Sequence, residues 1–509
     1  MPYDEPIASP AFEPRRTAID GAQRLHPFSL LFSIGRAARN LLIPGLFVLF
    51  AADDNRYELF LMVLFVPATV RAMFKFLTFR YRFGETELIV TEGLIFRNER
   101  HVPYLRIQNI DWSQNVLHRV LGVANVRVET AGGSEPEAEL QVLSVGAAEE
   151  MRGRVFEEKR RARGDEAVPA PQPAEERDEL ARLTLGELLL LGLLSNRGIA
   201  LVAAGLGIGW EMGLFDPRQS EEWTGPVGAF LDRVPETWPW RLALLIAALL
   251  VFLLFVRMLS VVWTALQFWD FRLWRSEGGL RVESGLLTRH TSTIPFARVQ
   301  QVTQIETWVQ RLIGRRGLRV VTAGGDADND EQSRRRWLLP LGERDLIDSL
   351  AGLAQPETSG TIAWQPVEPR AFLRLLRRAA ILGLLILVIP ALIWSRWWLV
   401  GAALVLPWAW LDAKLRVRRL GWAITGRGLH VRSGVWTHRV SAVRFNKIQT
   451  VQCETSPFDR RFGMATLAVD IAGSGNSDHR LRVPFLDATL AEMLRDRLTT
   501  EAAKTRFRW

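Results

Sequence analysis

Long apolar runs occur in three pairs along the chain, and a polar segment separates the members of each pair. The runs are residues 41–52 and 59–77, residues 198–215 and 242–269, and residues 379–394 and 397–411. A helix needs about 20 mostly apolar residues to cross a bilayer, and tilting or local thinning accommodates a shorter one. A buried helix of a soluble protein is the alternative for any single run. Three consecutive pairs favour three transmembrane helical hairpins.

Positive charge is concentrated at the outer ends of these pairs. The flanking cations are Arg36, Arg39, Lys75, Arg80, Arg82, Arg374, Arg377, Arg378, Lys414, Arg416, Arg418 and Arg419, whereas loop 216–241 holds five acids against three arginines. Because Lys and Arg collect on the cytoplasmic side of membrane helices, we expect a multi-pass membrane protein in which every hairpin returns the chain to the cytoplasmic side. Its polar domains and both termini are then cytoplasmic. Residues 1–27 lack the apolar core of a secretory signal. Residues 28–34 and 183–194 are shorter amphipathic stretches, suited to the interface or, for 185–194, to the start of a span.

An internal repeat organises the polar segments. Residues 93–133, 285–325 and 434–474 align without a gap, and seven positions are identical in all three copies. The identical positions are Gly93/Gly285/Gly434, Gln108/Gln300/Gln449, Arg119/Arg311/Arg460, Gly122/Gly314/Gly463, Val128/Val320/Val469, Ala131/Ala323/Ala472 and Gly132/Gly324/Gly473. Alternating apolar and polar residues around the glutamines predict strands, and residues 147–163, 343–354 and 487–498 have helical spacing. The order of strands and one terminal helix indicates a small β-barrel or sandwich closed by that helix.

These motifs carry a resemblance to a known family. The sequence P-[YF]-x-R-[IV]-Q, followed by R-x-x-G and V-x-T-A-G-G, resembles the bacterial pleckstrin-homology-like (PH-like) domain, and the repeated hairpin-plus-domain unit resembles the YdbT-like membrane proteins of bacteria. The third copy departs from the motif at Arg444, Lys447 and Ile471. The resemblance implies a PH-like β-fold with a C-terminal helix, and a link to envelope stress or tolerance of membrane-active antimicrobials.

The predicted fold class is therefore an α+β membrane protein in which three transmembrane hairpins alternate with three PH-like domains. The expected segments are a tail (1–27), hairpin 1 (28–78), PH-like domain 1 (79–163), a linker (164–182), hairpin 2 (183–270), PH-like domain 2 (271–355), a linker (356–370), hairpin 3 (371–413) and PH-like domain 3 (414–509).

Catalytic and metal-binding patterns are not evident. None of the seven histidines recurs at one position in all three copies, and no HExxH motif occurs. The single cysteine, Cys453, lies in the third copy only, where a core or turn position explains it better than a nucleophile does. Glycine pairs such as Gly132-Gly133 lack the GK[ST] sequence of a phosphate loop. We expect no enzyme activity, no metal and no cofactor.

The recurring polar residues are the better candidates for binding. Arg106, Arg298 and Lys447 precede Gln108, Gln300 and Gln449 by two residues, which places a cation and an amide on one side of an extended segment. Such a pair suits an anionic lipid headgroup or a partner protein. The alternative is structural: the glutamine satisfies a buried turn, and the arginine pairs with an acid such as Glu129 or Glu283. Arg119, Arg311 and Arg460 lie near a glycine turn, where a structural ion pair or helix cap is equally consistent.

Composition changes this picture in two ways. The net charge of +9 comes from 59 arginines and five lysines, and it marks orientation at the membrane better than nucleic-acid binding. Many of the 19 tryptophans lie at hairpin ends, where membrane interfaces collect them. We expect a non-enzymatic membrane scaffold whose domains bind anionic lipid or other membrane proteins. The alternative is a transporter or export-complex component, for which Glu211 is the main ionisable candidate within a span.

Overall fold

The computed structural model describes residues 23–24, 70, 77–93, 97–130, 138–163, 178–211, 237–276, 278–323, 337–358, 360–393, 400–472 and 480–504. Nearly all of the first predicted hairpin, 28–78, and most of loop 216–241 lie outside the described residues. The chain divides into two compact units. The first comprises residues 1–106 and 141–165, and the second comprises residues 107–140 and 166–509.

Both units contain strands and helices. The strands are β1 (Gln23–Arg24), β2 (Arg80–Phe83), β3 (Glu87–Glu92), β4 (Asn98–Pro103), β5 (Ile107–Asn115), β6 (Val123–Thr130), β7 (Ala138–Ser144), β8 (Glu179–Arg182), β9 (Arg272–Ser276), β10 (Gly279–Ser284), β11 (Thr288–Pro295), β12 (Val299–Thr307), β13 (Arg315–Thr322), β14 (Trp337–Glu343), β15 (Gly421–Thr425), β16 (Gly428–Ser433), β17 (Thr437–Arg444), β18 (Ile448–Glu454), β19 (Met464–Ile471) and β20 (Leu481–Asp487). The helices are α1 (Val116–Val120), α2 (Val145–Arg163), α3 (Leu185–Leu194), α4 (Arg197–Glu211), α5 (Trp238–Phe268), α6 (Trp308–Leu312), α7 (Arg344–Ala354), α8 (Ala371–Ile393), α9 (Ala402–Arg419), α10 (Pro457–Arg461) and α11 (Ala488–Lys504). One-turn 3-10 helices occur at Tyr104–Arg106, Phe296–Arg298, Pro356–Thr358 and Phe445–Lys447.

Each repeat has the same element order. Three strands lead into a 3-10 turn, a fourth strand, a five-residue helix, two more strands and a closing helix. The identical glycines explain why the order recurs. Gly285 has φ +116°, and a Cβ there would lie 2.0 Å from the carbonyl oxygen of Thr288, so only glycine fits this turn. Gly314 has φ +68° just after α6, the conformation in which helices commonly end.

The sheets run across the boundaries between repeats. The first unit holds the sheet β1-β2-β3-β4, and the other sheets have the orders β7-β6-β5-β11-β10-β9-β8, β14-β13-β12-β17-β16-β15 and β18-β19-β20. The second half of one repeat therefore continues into the first half of the next. We call the antiparallel pair β5–β11 the first junction and the pair β12–β17 the second junction. These junctions were not predicted from the sequence.

The two complete cores of the second unit follow from strand alternation and helix amphipathicity. In the second repeat, Leu280, Val299 and Leu318 are buried beneath α7, which contributes Ile347 and Leu350. In the third repeat, the buried strand residues Leu429, Leu467 and Val483 pack with Leu494 and Leu498 of α11. Closure by a C-terminal helix is present in both repeats.

Short paired segments before the hairpins were also missed. β8 falls within the segment expected to be a linker and pairs with β9, the first strand after the second hairpin. Gln365 of the next expected linker forms an isolated bridge with Trp422 in β15. In the first unit, β1 pairs with β2 in the same way. Residues that precede each predicted hairpin thus pair with the first strand that follows it.

Two of the described helices, α5 and α8, are long and apolar enough to cross a membrane. The consecutive helices α3 and α4 pass the same test together and are bent by 59° at their break. Close approach of these helices depends on small residues: a Cβ on Gly192 would lie 2.7 Å from the Cα of Val261, and one on Gly383 would lie 2.3 Å from a methyl group of Val405. Glu211 is the last residue of α4 and is exposed.

Candidate membrane-surface site

Three short helices place the identical arginines next to exposed apolar side chains. Arg119, Arg311 and Arg460 lie on α1, α6 and α10. The neighbouring exposed apolar residues are Val116, Leu117, Val120, Trp308, Leu312, Ile313 and Phe458, of which Val120 and Leu312 are more than three-quarters exposed. Apolar side chains repeated in this way on a solvent-facing surface indicate a contact with a membrane or another protein.

The local sequence explains why each short helix forms. Each begins at a residue whose side chain accepts a hydrogen bond from the backbone N–H three positions later: Asn115 from His118, Thr307 from Gln310, and Ser456 from Asp459. The later side chain bonds back to the first residue's N–H in all three cases, which completes a capping box. A five-residue helix has no independent stability, so these caps and the glycine after each helix fix its direction.

The turns that contact these helices pack against α5 and α9. The N–H of Leu286 donates to the carbonyl oxygen of Leu266 in α5, and the N–H of Trp308 donates to the carbonyl oxygen of Trp436 at 2.8 Å. The ring of Trp436 stacks on that of Trp408 in α9, with centroids 6.2 Å apart. Leu287 and Trp436 are both more than half exposed. Exposed apolar residues near both junctions therefore lie next to α5, which is long and apolar enough to cross a membrane, or next to α9.

The first junction contains a small cavity. It has a volume of about 100 Å³ and is lined by Arg119, Trp269, Asp270, Ser284, Gly285, Leu286 and Arg289. Arg119 donates from Nη1 to the carbonyl oxygen of Leu286 at 3.2 Å. Two arginines contact Asp270, which accepts from Arg272 at 2.9 Å and from Arg182 at 3.2 Å. Arg289 donates to Glu283 at 2.7 Å. Acids thus balance part of the positive charge at this junction.

At the second junction, several arginines share one buried carboxylate. Glu306 is surrounded by Arg311 at 3.6 Å, Arg316 at 3.6 Å and Arg344 at 2.7 Å, and Asp348 contacts Arg316 at 3.4 Å. Arg419 occupies the repeat position that Asp270 has in the first junction. Burial, reinforced by the positive charges of Arg311 and Arg419, lowers the pKa of His438. The cluster favours an additional anion, because several guanidinium groups share one carboxylate.

The third short helix contacts the start of the third hairpin. Arg374 of α8 forms an ion pair with Asp459 and donates to the hydroxyl of Ser456 at 3.2 Å. The guanidinium of Arg377 lies 5.5 Å from the ring centroid of Phe462, a cation–π distance. Arg460 on the same helix is exposed. The third copy therefore resembles the other two in placing an arginine and an aromatic residue beside a membrane helix.

The predicted arginine–glutamine pairs occupy equivalent places with different surroundings. Arg106, Arg298 and Lys447 each end a 3-10 turn. Arg298 is buried and donates to the carbonyl oxygen of Ala323, and Gln300 is buried and donates to the carbonyl oxygen of Arg298. Glu283, one of the acids proposed as an arginine partner, forms ion pairs with Arg281 and Arg289. In the second copy these two side chains therefore bond to the backbone instead of converging on one surface site.

The remaining members of these pairs differ from the second copy. Arg106 is exposed, and the side chain of Gln108 lies outside the described residues. Lys447 is half-buried, and this burial together with nearby Arg444 lowers its pKa. Gln449 is exposed. Within the described part of the chain, no three His, Cys, Asp or Glu side chains are grouped as a metal site.

The exposed apolar residues of the short helices were missed by the sequence analysis. The signal was present in the arrangement of apolar residues around the identical arginine, as in Val116 to Leu121 and Trp308 to Ile313. Apolar residues with helical spacing usually form a face that packs against the core. Only the fold shows that a five-residue helix between two strands turns this face outward.

Comparison with known proteins agrees with this architecture. Models of the bacterial PH domain match residues 31–159, 226–341 and 372–502, and the chain belongs to the bacterial PH domain family. It is a transmembrane protein similar to YdbT of Bacillus subtilis (strain 168), described as UPF0699 transmembrane protein YdbT. The two sequences are 24% identical over 474 residues, which cover 90% of this chain and 94% of the relative. No solved structure matches the chain at a significant level.

Proposed function

We propose that this protein is a non-enzymatic membrane scaffold whose PH-like domains rest on the cytoplasmic face of the inner membrane and bind anionic lipid. Three hairpins anchor the domains, so both termini are cytoplasmic. The apolar residues of α1, α6 and α10 enter the interface, and the arginines beside them bind headgroup phosphates. The recurrence of Arg119, Arg311 and Arg460 beside exposed apolar residues carries this proposal.

The chemistry of the second junction favours an anionic headgroup. Guanidinium groups pair with phosphate oxygens through two donors at once, and Arg311 lies one residue from exposed Leu312. An apolar residue and a cation at adjacent positions match the boundary between acyl chains and headgroups. Each cation near an anionic leaflet contributes about 1 kcal/mol of attraction. An involvement in envelope stress or antimicrobial tolerance is part of the same proposal and rests on the family resemblance.

The test uses the full chain in lipid nanodiscs. In a Cys453→Ser background, Leu312→Cys is labelled with an environment-sensitive fluorophore, and Thr499→Cys on the exposed face of α11 is the matched control. We expect quenching of the Leu312 probe by lipids that carry a quencher near the headgroup, and stronger quenching when the lipid includes phosphatidylglycerol. Arg311→Gln should remove that lipid dependence. Equal quenching at both positions, or no response to anionic lipid, would contradict the proposal.

Orientation is tested separately. Reporter fusions after residues 163, 355 and 504 should all report the cytoplasmic side, whereas an insertion in loop 216–241 should report the opposite side. A reporter on the opposite side at any of the first three positions would exclude the proposed arrangement of hairpins.

A further inference from the structure

The two junctions are built in the same register. Thr288 faces Asn115 in the first junction, and Thr437 faces Thr307 in the second. Thr288 and Thr437 are equivalent positions of the repeat, as are Asn115 and Thr307. One pairing rule thus applies at both junctions. The fourth strand of one repeat pairs with the third strand of the next.

Under this pairing rule, two strands have no partner strand from a neighbouring repeat within the described residues. β18 is the fourth strand of the last repeat and ends its three-stranded sheet, and β4 is the third strand of the first repeat and ends its four-stranded sheet. Within the described residues, no strand pairs with the outer edge of either one. An exposed edge with unpaired backbone groups is a template for another strand.

Burial distinguishes these edges from the paired ones. Gln300, Gln301 and Thr303 of β12 are 4%, 8% and 8% exposed, whereas the equivalent residues of β18, namely Gln449, Thr450 and Gln452, are all exposed. Thr291 of β11 is 5% exposed, and its equivalent in β4, Glu99, is exposed. The same positions of the repeat are therefore buried in the strands of the two junctions and exposed in β4 and β18.

We propose that β18 of one molecule pairs with β4 of a second copy, so that the protein assembles head to tail through a third junction of the same kind. The shared register places Glu454 opposite Asn98, Cys453 opposite Glu99, and Val451 opposite His101. The second copy is the occupant that fits, because its β4 carries the repeat position that pairs at both internal junctions. A contact between two different surfaces produces a ring or an open filament rather than a closed dimer.

The second junction lies next to a candidate membrane helix. It joins two domains whose first strands, β9 and β15, follow α5 and α9 within a few residues, and α5 is long and apolar enough to cross a membrane. This inference does not rest on lipid binding, since β-strand pairing depends on backbone hydrogen bonds and burial of the two edges.

The single cysteine provides a direct test in membranes that contain the full-length chain. Glu99→Cys places a second thiol opposite Cys453 of the neighbouring molecule, and directly opposed residues of antiparallel strands have Cα atoms about 4.5–5.5 Å apart, within disulfide reach. After mild oxidation we expect a ladder of dimers, trimers and larger species on a non-reducing gel. Asn98→Cys is the matched control, because its side chain lies on the other face of β4. It should give at least about tenfold less product, since one position along a strand reverses the side-chain direction.

Further variants separate the alternatives. Glu99→Cys combined with Cys453→Ser should give no ladder, and Asn98→Cys with Glu454→Cys in the Cys453→Ser background should restore it. This second pair reports the same register even if loss of the Glu99–His101 ion pair perturbs β4. A Cys453–Cys453 dimer of the unmodified chain, an internal disulfide seen as a faster monomer, a disulfide adduct with another protein instead of a ladder, or absence of the ladder with both cysteine pairs would each overturn the proposal.

Discussion

The two junctions share their geometry but differ in charge. At the first junction, Asp270 pairs with Arg182 and Arg272, and Glu283 pairs with Arg289. At the second junction, Glu306 lies between Arg311, Arg316 and Arg344, and Asp348 also contacts Arg316. The position of Arg289 is taken by His438, and that of Asp270 by Arg419. The backbone arrangement is therefore maintained while the charge is free to vary.

This difference separates the features that determine the strand pairing of a junction from those that change only its charge. Turn glycines and strand register recur in both junctions, so they specify the pairing. Glu306 has Gln114 as its equivalent in the first junction, where the amide donates to the carbonyl oxygen of Val123. A carboxylate at this position is needed only where several guanidinium groups converge.

The largest expected effect is at the turns that direct a strand into each junction. Gly285→Ala and Gly434→Ala place a Cβ 2.0 Å and 1.9 Å from the carbonyl oxygens of Thr288 and Thr437, at φ +116° and +91°. We expect each to lower the free energy of unfolding by about 3 kcal/mol, because the strand must shift. Thermal unfolding in detergent measures this effect.

Gly314→Ala is the control for these turns. Its φ is +68°, but no heavy atom lies within 4 Å of the added Cβ, so the expected loss is about 1 kcal/mol. An equally small loss for Gly285→Ala or Gly434→Ala would contradict the view that both junctions depend on the same turn.

The next effect concerns the buried acid of the second junction. Glu306→Gln removes the carboxylate that Arg311, Arg316 and Arg344 share and leaves Asp348 beside Arg316, and we expect a loss of about 2 kcal/mol in stability because the Glu306 side chain is only 7% exposed. Asp270→Asn at the more exposed ion pairs of the first junction should cost less than about 1 kcal/mol. Equal losses in thermal unfolding would show that charge contributes alike to both junctions.

The sequence predicted the repeat and the order of strands and closing helix, because each depends on local periodicity and on residues that recur between repeats, and the resemblance to a known family implied the PH-like class. The junctions could not be predicted, since pairing between β12 and β17 is a long-range choice among several compatible edges. Gln300 illustrates the limit. Its recurrence suggested a ligand contact, yet in the second copy it is buried and bonds to the backbone, a difference that depends on the strand that covers it.

A smaller effect is expected at the hydrogen bond between Thr303 and Ser441, whose hydroxyl oxygens lie 3.0 Å apart across the second junction. Thr303→Val removes this partner from the buried Ser441 hydroxyl and also from the Gln301 amide, which donates to the Thr303 hydroxyl at 2.9 Å, and should cost about 1 kcal/mol. The double variant Thr303→Val with Ser441→Ala should recover only the part that comes from the Ser441 hydroxyl, because the Gln301 amide stays buried without the Thr303 acceptor. A double-mutant cycle followed by thermal unfolding measures the coupling, and strictly additive losses would show that the hydroxyl pair contributes no coupling across the junction.

The smallest effect is a pH dependence that we expect from His438 at the second junction. Burial and the charges of Arg311 and Arg419 lower the pKa of His438 below its ordinary value of 6.5. The unfolded chain therefore binds more protons than the folded chain at mildly acidic pH, and stability falls as the pH decreases from about 7 through 6.5. His438→Gln should reduce the slope of the free energy of unfolding against pH by less than about 1 kcal/mol per pH unit. Unfolding temperatures measured across this pH range follow the change. His430, whose pKa is also lowered by burial, is the control for a histidine outside the arginine cluster. An unchanged pH dependence in His438→Gln would mean that this histidine does not respond to the charge that distinguishes the two junctions.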